Sequence, residues 1–284
     1  MAASSAPLPG EELPLTIIRP RRGWQALGLG ELWRCRELLF FLAWRDIKVR
    51  YKQTILGVAW AVLQPVLATI VFAVFFGRLG GLERHTALPY AVFVYAGMLA
   101  WGFFAEAVSQ ASQSLIASAN LLTKVYFPRL IVPAAAVAGL IVDFAISLAV
   151  MACLMGAYGV APTFSALWAP ALMLATVAAA MGAGTLLAAL TVAYRDFRYI
   201  VPFLLQIWMF ASPVAYPLAL VPEQWRAAYC LNPLAGIIDG LRWCLLGEPL
   251  HAGCLAVSTC SAAVLLVAGA ACFRRFERRF ADIV

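Results

Sequence analysis

Residues 144–194, FAISLAVMACLMGAYGVAPTFSALWAPALMLATVAAAMGAGTLLAALTVAY, run for 51 positions without a charged side chain. As a single α-helix this stretch would measure about 75 Å, more than twice a hydrocarbon core of about 30 Å. It must therefore reverse. Gly156, Gly159 and Pro162 mark the turn, because glycine and proline are the residues that break a helix and redirect the chain. The stretch thus predicts two membrane spans, about 130–156 and about 167–193. The charged link Arg195-Asp196-Phe197-Arg198 follows them.

Composition agrees with a membrane setting. The chain has 284 residues, 64% of them hydrophobic and only 12% charged. Soluble domains carry about 25% charge, and one core of this size cannot hide such an apolar excess. The fold class expected is an all-α integral membrane protein with six spans. Ile55 to Phe76 contains no charge and forms the first span. Gln64 and Pro65 fall midway in it; a proline there predicts a bent helix. The second span runs from about Pro89 to Leu115, and a short fifth from about Tyr199 to Ser212. Residues 213–249 are apolar but broken by Pro213, Pro217, Pro222, Pro233 and Pro249. They read as short outer helices with a re-entrant hairpin. The last span is about 251–272, followed by a basic tail, 273–284.

The net charge of +7 is not a nucleic-acid signature, because the basic residues gather at both ends and in short links. Six spans would put 17 of the Lys and Arg residues on one side: nine in 1–54, two in 116–129, two in 194–199 and four in the tail. Only Arg78, Arg84, Arg226 and Arg242 fall on the other. This asymmetry predicts that both termini are cytoplasmic. The first 54 residues lack an apolar core followed by a small-residue cleavage site, so the first apolar run is expected to be retained as a span.

Residues 1–30 read as a loosely ordered cytoplasmic tail. Residues 31–54 differ. Trp33, Phe40, Trp44, Ile47 and Tyr51 share one narrow helical sector, with Arg34, Arg45, Lys48 and Lys52 to one side. A basic helix with an aromatic face predicts an element lying in the membrane interface. Leu38, Leu39 and Leu42 add apolar bulk elsewhere, which suits a helix packed on protein.

Enzyme chemistry has no anchor. The only lysines are Lys48, Lys52 and Lys124, and none follows a glycine, so no Walker A loop can form. His85 and His251 lack metal-ligand companions, and no GxSxG elbow occurs. No metal and no cofactor of its own are expected. Seven cysteines show no metal spacing. Cys230 and Cys244 fall in the outer segment, and the sequence leaves open whether they form a disulfide.

Polar residues within spans are costly and therefore informative. Glu106, Ser109, Gln110 and Gln113 recur at helical spacing in the second span. They line a hydrophilic path near the cytoplasmic side or bond neighbouring helices. Asp143, in the third span, calls for a partner on another helix rather than a proton relay. Ala178, Gly182 and Gly184 give the fourth span a small-residue surface suited to close packing, within the subunit or against a second one. Trp60, Trp101, Phe103, Phe104 and Trp208 suit belts and packing, with sugar stacking as the alternative.

Four phrases taken together resemble the type-2 ABC exporter permeases, specifically those exporting lipid-linked O-antigen, capsule and teichoic-acid polymers. They are WRDIKVRYKQTILGVAWAVLQP (44–65), KVYFPRLIVP (124–133), YRDFRYIVPFLLQIWMFASPVAYP (194–217) and NPLAGIIDGLRW (232–243). The resemblance covers nearly the whole chain from about residue 15. It implies a six-span permease that pairs as a homodimer around a channel and works with two copies of a cytoplasmic ATPase, which binds ATP and Mg. It implies a coupling helix at about 117–129, with Lys124, Tyr126, Phe127 and Arg129 facing that ATPase. The substrate implied is a polyprenyl-pyrophosphate-linked glycan moved across the bacterial inner membrane. Arg45, Lys48, Arg50 and Lys52 lie where a lipid pyrophosphate would sit; anchoring to anionic lipid explains the same charges. A membrane glycan polymerase or ligase would need a large catalytic outer loop. An ion-coupled flippase should show internal repeats and more buried ionisable groups.

Overall fold

A computed structural model describes residues 29–52, 57–86, 88–124, 127–194 and 196–277. Residues 1–28 of the expected tail, the last two residues of the 31–54 element, Tyr126 and the basic segment from Arg278 onward lie outside the described residues. The described chain is helical throughout and contains no strand. Its α-helices are α1 (Leu29–Arg34), α2 (Arg36–Lys52), α3 (Gly57–Phe72), α4 (Tyr90–Ala117), α5 (Ala119–Lys124) and α6 (Ile131–Gly139). They continue with α7 (Ile141–Ala157), α8 (Ala169–Ala193), α9 (Phe197–Phe210), α10 (Glu223–Tyr229), α11 (Pro233–Leu246) and α12 (Ala252–Glu277).

Among the described residues, five segments are long and apolar enough to cross a membrane: Val62–Leu79, Tyr90–Ala117, Ile131–Ala157, Phe164–Ala193 and Ala252–Glu277. The 14-residue α9 is apolar but shorter, about 21 Å at helical rise. The uncharged stretch 144–194 does reverse: α7 ends at Ala157, Gly159 takes φ +69°, and a 3-10 turn at Phe164–Trp168 leads into α8. A left-handed φ is open to glycine at little cost.

Two boundaries differ from the sequence reading. The third span is not one helix: Leu140 interrupts it between α6 and α7. Gly139 there lies beside α2, where a Cβ would stand 3.7 Å from the Ala43 carbonyl. The last helix also continues beyond residue 272, to Glu277. Hydropathy marks where apolar residues stop, and Arg274 and Arg275 still form helix. In α3, Pro65 is accommodated inside the helix. The Thr69 hydroxyl donates to its carbonyl at 2.8 Å, and a π-helical turn, Ala73–Leu79, follows.

The small-residue surface of α8 packs within the subunit. A Cβ on Gly182 would stand 2.5 Å from the α12 backbone at Leu265 and Leu266. A Cβ on Gly269 would meet the Gly182 carbonyl at 2.1 Å. Gly184 faces α4, where its Cβ would meet that of Ala111 at 2.7 Å. These contacts let α4, α8 and α12 pack as the central layer. The main core joins Tyr95, Phe104 and Val108 of α4 to Ala179 and Ala183 of α8 and Ile237 and Leu241 of α11. Phe104 meets Trp208 of α9 edge-on, at 5.0 Å between ring centroids, so both aromatics are packing residues in this subunit.

Gly269→Val is expected to cost stability at or above the upper end of the about 1–3 kcal/mol typical of overpacking, because the obstacle is backbone. Thermal unfolding in detergent should show it, whereas Gly253→Ala, which has open space, should leave the midpoint close to wild type.

Candidate substrate path and coupling surface

At the end of the bundle that holds the α4–α6 connection, α2 packs along α6. Leu42 and Ala43 are buried against Leu130, Ile131 and Ala135, with Leu38 and Leu39 beside them. The aromatic stripe points the other way: Trp33 is 70% and Phe40 68% exposed, and Trp44 is also exposed. The Lys48 ammonium stands 5.5 Å from the Trp44 ring centroid, and the Arg36 guanidinium 5.3 Å from that of Trp33. One face of the helix is therefore used by the protein, and the aromatic face, edged by cations, is left to its surroundings.

The C-terminal end of α2 meets Asp143. The Arg50 guanidinium forms an ion pair with the Asp143 carboxylate, and the Tyr51 hydroxyl donates to the same group. Arg50 also reaches Glu106 of α4 at 3.9 Å. Burial, and then the neighbouring Asp143 charge, raise the Tyr51 phenol well above its ordinary range; it stays a hydrogen-bond donor at neutral pH. Asp143 thus has the inter-helix partner that a carboxylate at this depth calls for. Its place in the first turn of α7 is also the favourable end of the helix dipole.

The polar stripe of α4 begins at this junction. Gln110 donates to Glu106 at 2.8 Å. Glu106 and Gln110 are exposed and Ser109 and Gln113 partly so, while Ala107, Val108 and Ala111 are buried on the opposite side. The four residues therefore share one open face. Gln64 of α3 is exposed as well. Of the basic quartet on α2, Arg45 pairs with the adjacent Asp46 at 2.8 Å and Arg50 is engaged by the carboxylates, while Lys52 is exposed.

The segment between α4 and α6 holds the expected coupling residues. Lys124, at the end of α5, is exposed. Phe127 is buried with Leu115 of α4, Val192 of α8 and Phe273 of α12. Arg129 is partly buried and hydrogen-bonds the end of α12.

The opposite end is closed by a cap. A buried guanidinium, Arg242 of α11, donates to the carbonyls of Val214 at 2.6 Å, Phe93 at 3.3 Å and Tyr216 at 3.3 Å. It also stacks 3.6 Å from the Phe93 ring centroid. Gly97 is needed beneath it, since a Cβ would meet the Val214 carbonyl at 2.7 Å. Asn232 caps α11, accepting from the Leu234 N–H at 3.1 Å and from Trp208 Nε1 at 3.0 Å. Cys230 is disulfide-bonded to Cys254, not to Cys244. Cys230 and Cys244 stand at opposite ends of α11, about 20 Å apart at helical rise, beyond the roughly 7 Å that a disulfide can bridge. Cys244 instead donates to the Ser165 carbonyl at 3.1 Å.

The sequence that builds this bundle has known relatives. Residues 37–246 match the model of the ABC-2 type transporter family. The chain belongs to the ABC-2 type transporter family. Among its relatives is the O-antigen export system permease protein RfbA of Myxococcus xanthus, 31% identical over 262 residues that cover 89% of this chain and 98% of that protein. Two proteins of the same name from Klebsiella pneumoniae are 27% and 26% identical over 250 residues, covering 87% of this chain and 95% of each relative. Membership accounts for a multi-pass bundle without a nucleotide loop, because a permease of this family is the membrane subunit of its transporter.

Sequence reasoning did not find Arg242 as the fastener of the cap. The single cation of α11, three residues after Asp239 in a mostly apolar helix, was the available signal, since such a charge must find partners. Tyr51, assigned only to the aromatic stripe, serves Asp143 as a donor.

If Asp143 holds α2 in place, cysteines at 46 and 139 should report it. A Cβ at 139 would lie 3.8 Å from the Asp46 Cβ, within the disulfide range. In a background keeping Cys230 and Cys254 and replacing the other cysteines with serine, Asp46→Cys with Gly139→Cys should cross-link readily. Cross-linking should fall on adding Asp143→Asn and fall further with Asp143→Leu. An unchanged yield with Asp143→Leu would show that α2 is held by its apolar face alone.

Proposed function

We propose that this chain is the permease subunit of an ATP-driven exporter that moves polyprenyl-pyrophosphate-linked O-antigen polysaccharide from the cytoplasmic to the outer face of the bacterial inner membrane. The observation that carries this reading is end-to-end similarity to three O-antigen export permeases across 87–89% of the chain. Polymerase and ion-coupled flippase readings have no comparable support.

The working unit in this reading is a homodimer with two ATPase subunits, which bind ATP and Mg and dock at 117–129. The open polar face of α4 supports a second copy: Glu106 and Gln110 are exposed among helices whose other exposed residues include Leu67 and Ile70 of α3, Phe75 of the π-helical turn after it, and Phe203, Ile207 and Phe210 of α9. Polar groups are costly against lipid but tolerated along a water-filled path. Two facing subunits would enclose such a path, and α9 would serve as the sixth, short span, completed by the turn after Phe210.

Orientation follows from two independent features. Seventeen basic residues fall on the side of the termini. The Cys230–Cys254 disulfide falls at the other end, and disulfides persist in oxidising compartments such as the periplasm. Both termini are therefore assigned to the cytoplasm and the cap, with α11 re-entering from it, to the periplasm. The basic quartet Arg45, Lys48, Arg50 and Lys52 would lie beside the lipid pyrophosphate as it enters at the cytoplasmic surface.

Reconstitution tests this directly. The chain should co-purify with an ABC ATPase subunit, and the pair in liposomes should move lipid-linked O-antigen only when ATP is supplied. Transport by the chain alone, or transport indifferent to ATP, would contradict the reading.

A further inference from the structure

Arg129 makes two contacts with one residue, Glu277, the last described residue of α12 and 148 positions away. Its Nη1 donates to the Glu277 main-chain carbonyl at 2.7 Å, and its own backbone N–H donates to Glu277 Oε1 at 3.3 Å. The first contact places a cation on a main-chain carbonyl at the last described turn of α12.

An apolar plug backs the clasp. Phe273 is fully buried, one helical turn before Glu277, and shares a cluster with Phe127, Leu130 and Ile131. Residues four apart share a helix face, so plug and clasp lie on the same side of α12. The phenylalanines alone could slide past one another. The two directed hydrogen bonds fix the register of residues 127–129 against the helix end.

What lies at the other end of α12 gives this tie a consequence. The helix contains no proline and spans about 39 Å at helical rise. At its outer end Cys254 is bonded to Cys230. One turn on, Ser258 Oγ sits 2.8 Å from the Cys230 carbonyl and 2.9 Å from that of Asn232, and accepts the Gly236 N–H at 2.9 Å. In the middle, Gly269 fastens the helix to α8. So α12 is gripped by the coupling segment at one end and by the cap at the other.

We propose that the Arg129–Glu277 clasp is the link through which the coupling segment moves α12, and with it the outer cap. Arg129 is a positioning residue that acts inside the permease. The inference rests on the exporter reading and on the rest of the 117–129 segment facing the ATPase, Arg129 itself being turned to α12.

The test uses the permease–ATPase complex in liposomes, with ATP hydrolysis and ATP-driven transport of lipid-linked O-antigen measured on the same preparation. Arg129→Ala should lower transport at least about tenfold, as expected for losing one charge-assisted hydrogen bond, while hydrolysis stays close to wild type. Arg129→Lys, which can still donate to the carbonyl, should recover part of the loss. Glu277→Ala removes only the carboxylate acceptor and should cost less than Arg129→Ala. Should Arg129→Ala fail to assemble, the Lys and Glu277 variants carry the comparison. Hydrolysis lost in parallel with transport would make Arg129 an ATPase contact and overturn the proposal, as would transport left intact. A wild-type complex without ATP-driven transport would instead overturn the exporter reading itself, and the clasp proposal with it.

Discussion

The carbonyl of Gly182 occupies the place that a side chain on Gly269 would need. Apolar surfaces are not driven together within lipid, because the tails are as apolar as the helices; close packing decides instead. Glycine on both helices allows α8 and α12 to meet backbone to backbone. The next glycine on α8, Gly184, leaves room for the Ala111 side chain of α4. The central layer of α4, α8 and α12 is thus set by side chains that are missing. Everything else is attached to this layer: α11 and the cap at one end, α2 and the coupling segment at the other.

Those attachments are mainly polar. Arg242 joins α11 to α4 and to residues 214–216 through three carbonyls and a ring face. Asp143 joins α7 to α2, and Arg50 extends the junction to Glu106 on α4. A buried charge without partners costs several kcal/mol, so each charge fixes the geometry of the groups that satisfy it. The layer supplies close packing; the charges supply register. A transporter needs both: a body that stays together, and ends whose positions are defined well enough to carry displacement.

Much of this was readable from the chain. The second span was expected at 89–115 and is Tyr90–Ala117; the reversal was expected at Gly156–Pro162 and lies between Ala157 and Phe164. Both rest on local signals, namely charge-free length and helix breakers. The break at Leu140 has no such signal beyond Gly139, which lies beside α2 in the fold. The partner of Asp143 could be required but not named: Arg50 is 93 residues away. Cys254 was missed for the same reason, since only the fold returns the start of α12 to the end of α10. Arg129 was assigned to a partner protein, and its tie to Glu277 is invisible to any short-range pattern.

One end of this bundle is a cap closed over the Cys254 end of α12, with α2 and the segment between α4 and α6 at the opposite face, and in the proposed orientation that cap is periplasmic. Mapping the cysteines by mass spectrometry, after alkylation of intact cells under non-reducing conditions, tests it most directly. The account predicts a peptide in which Cys230 is linked to Cys254, with Cys244 recovered as a free thiol. A linked Cys230–Cys244 peptide, or Cys230 and Cys254 both recovered reduced, would contradict it.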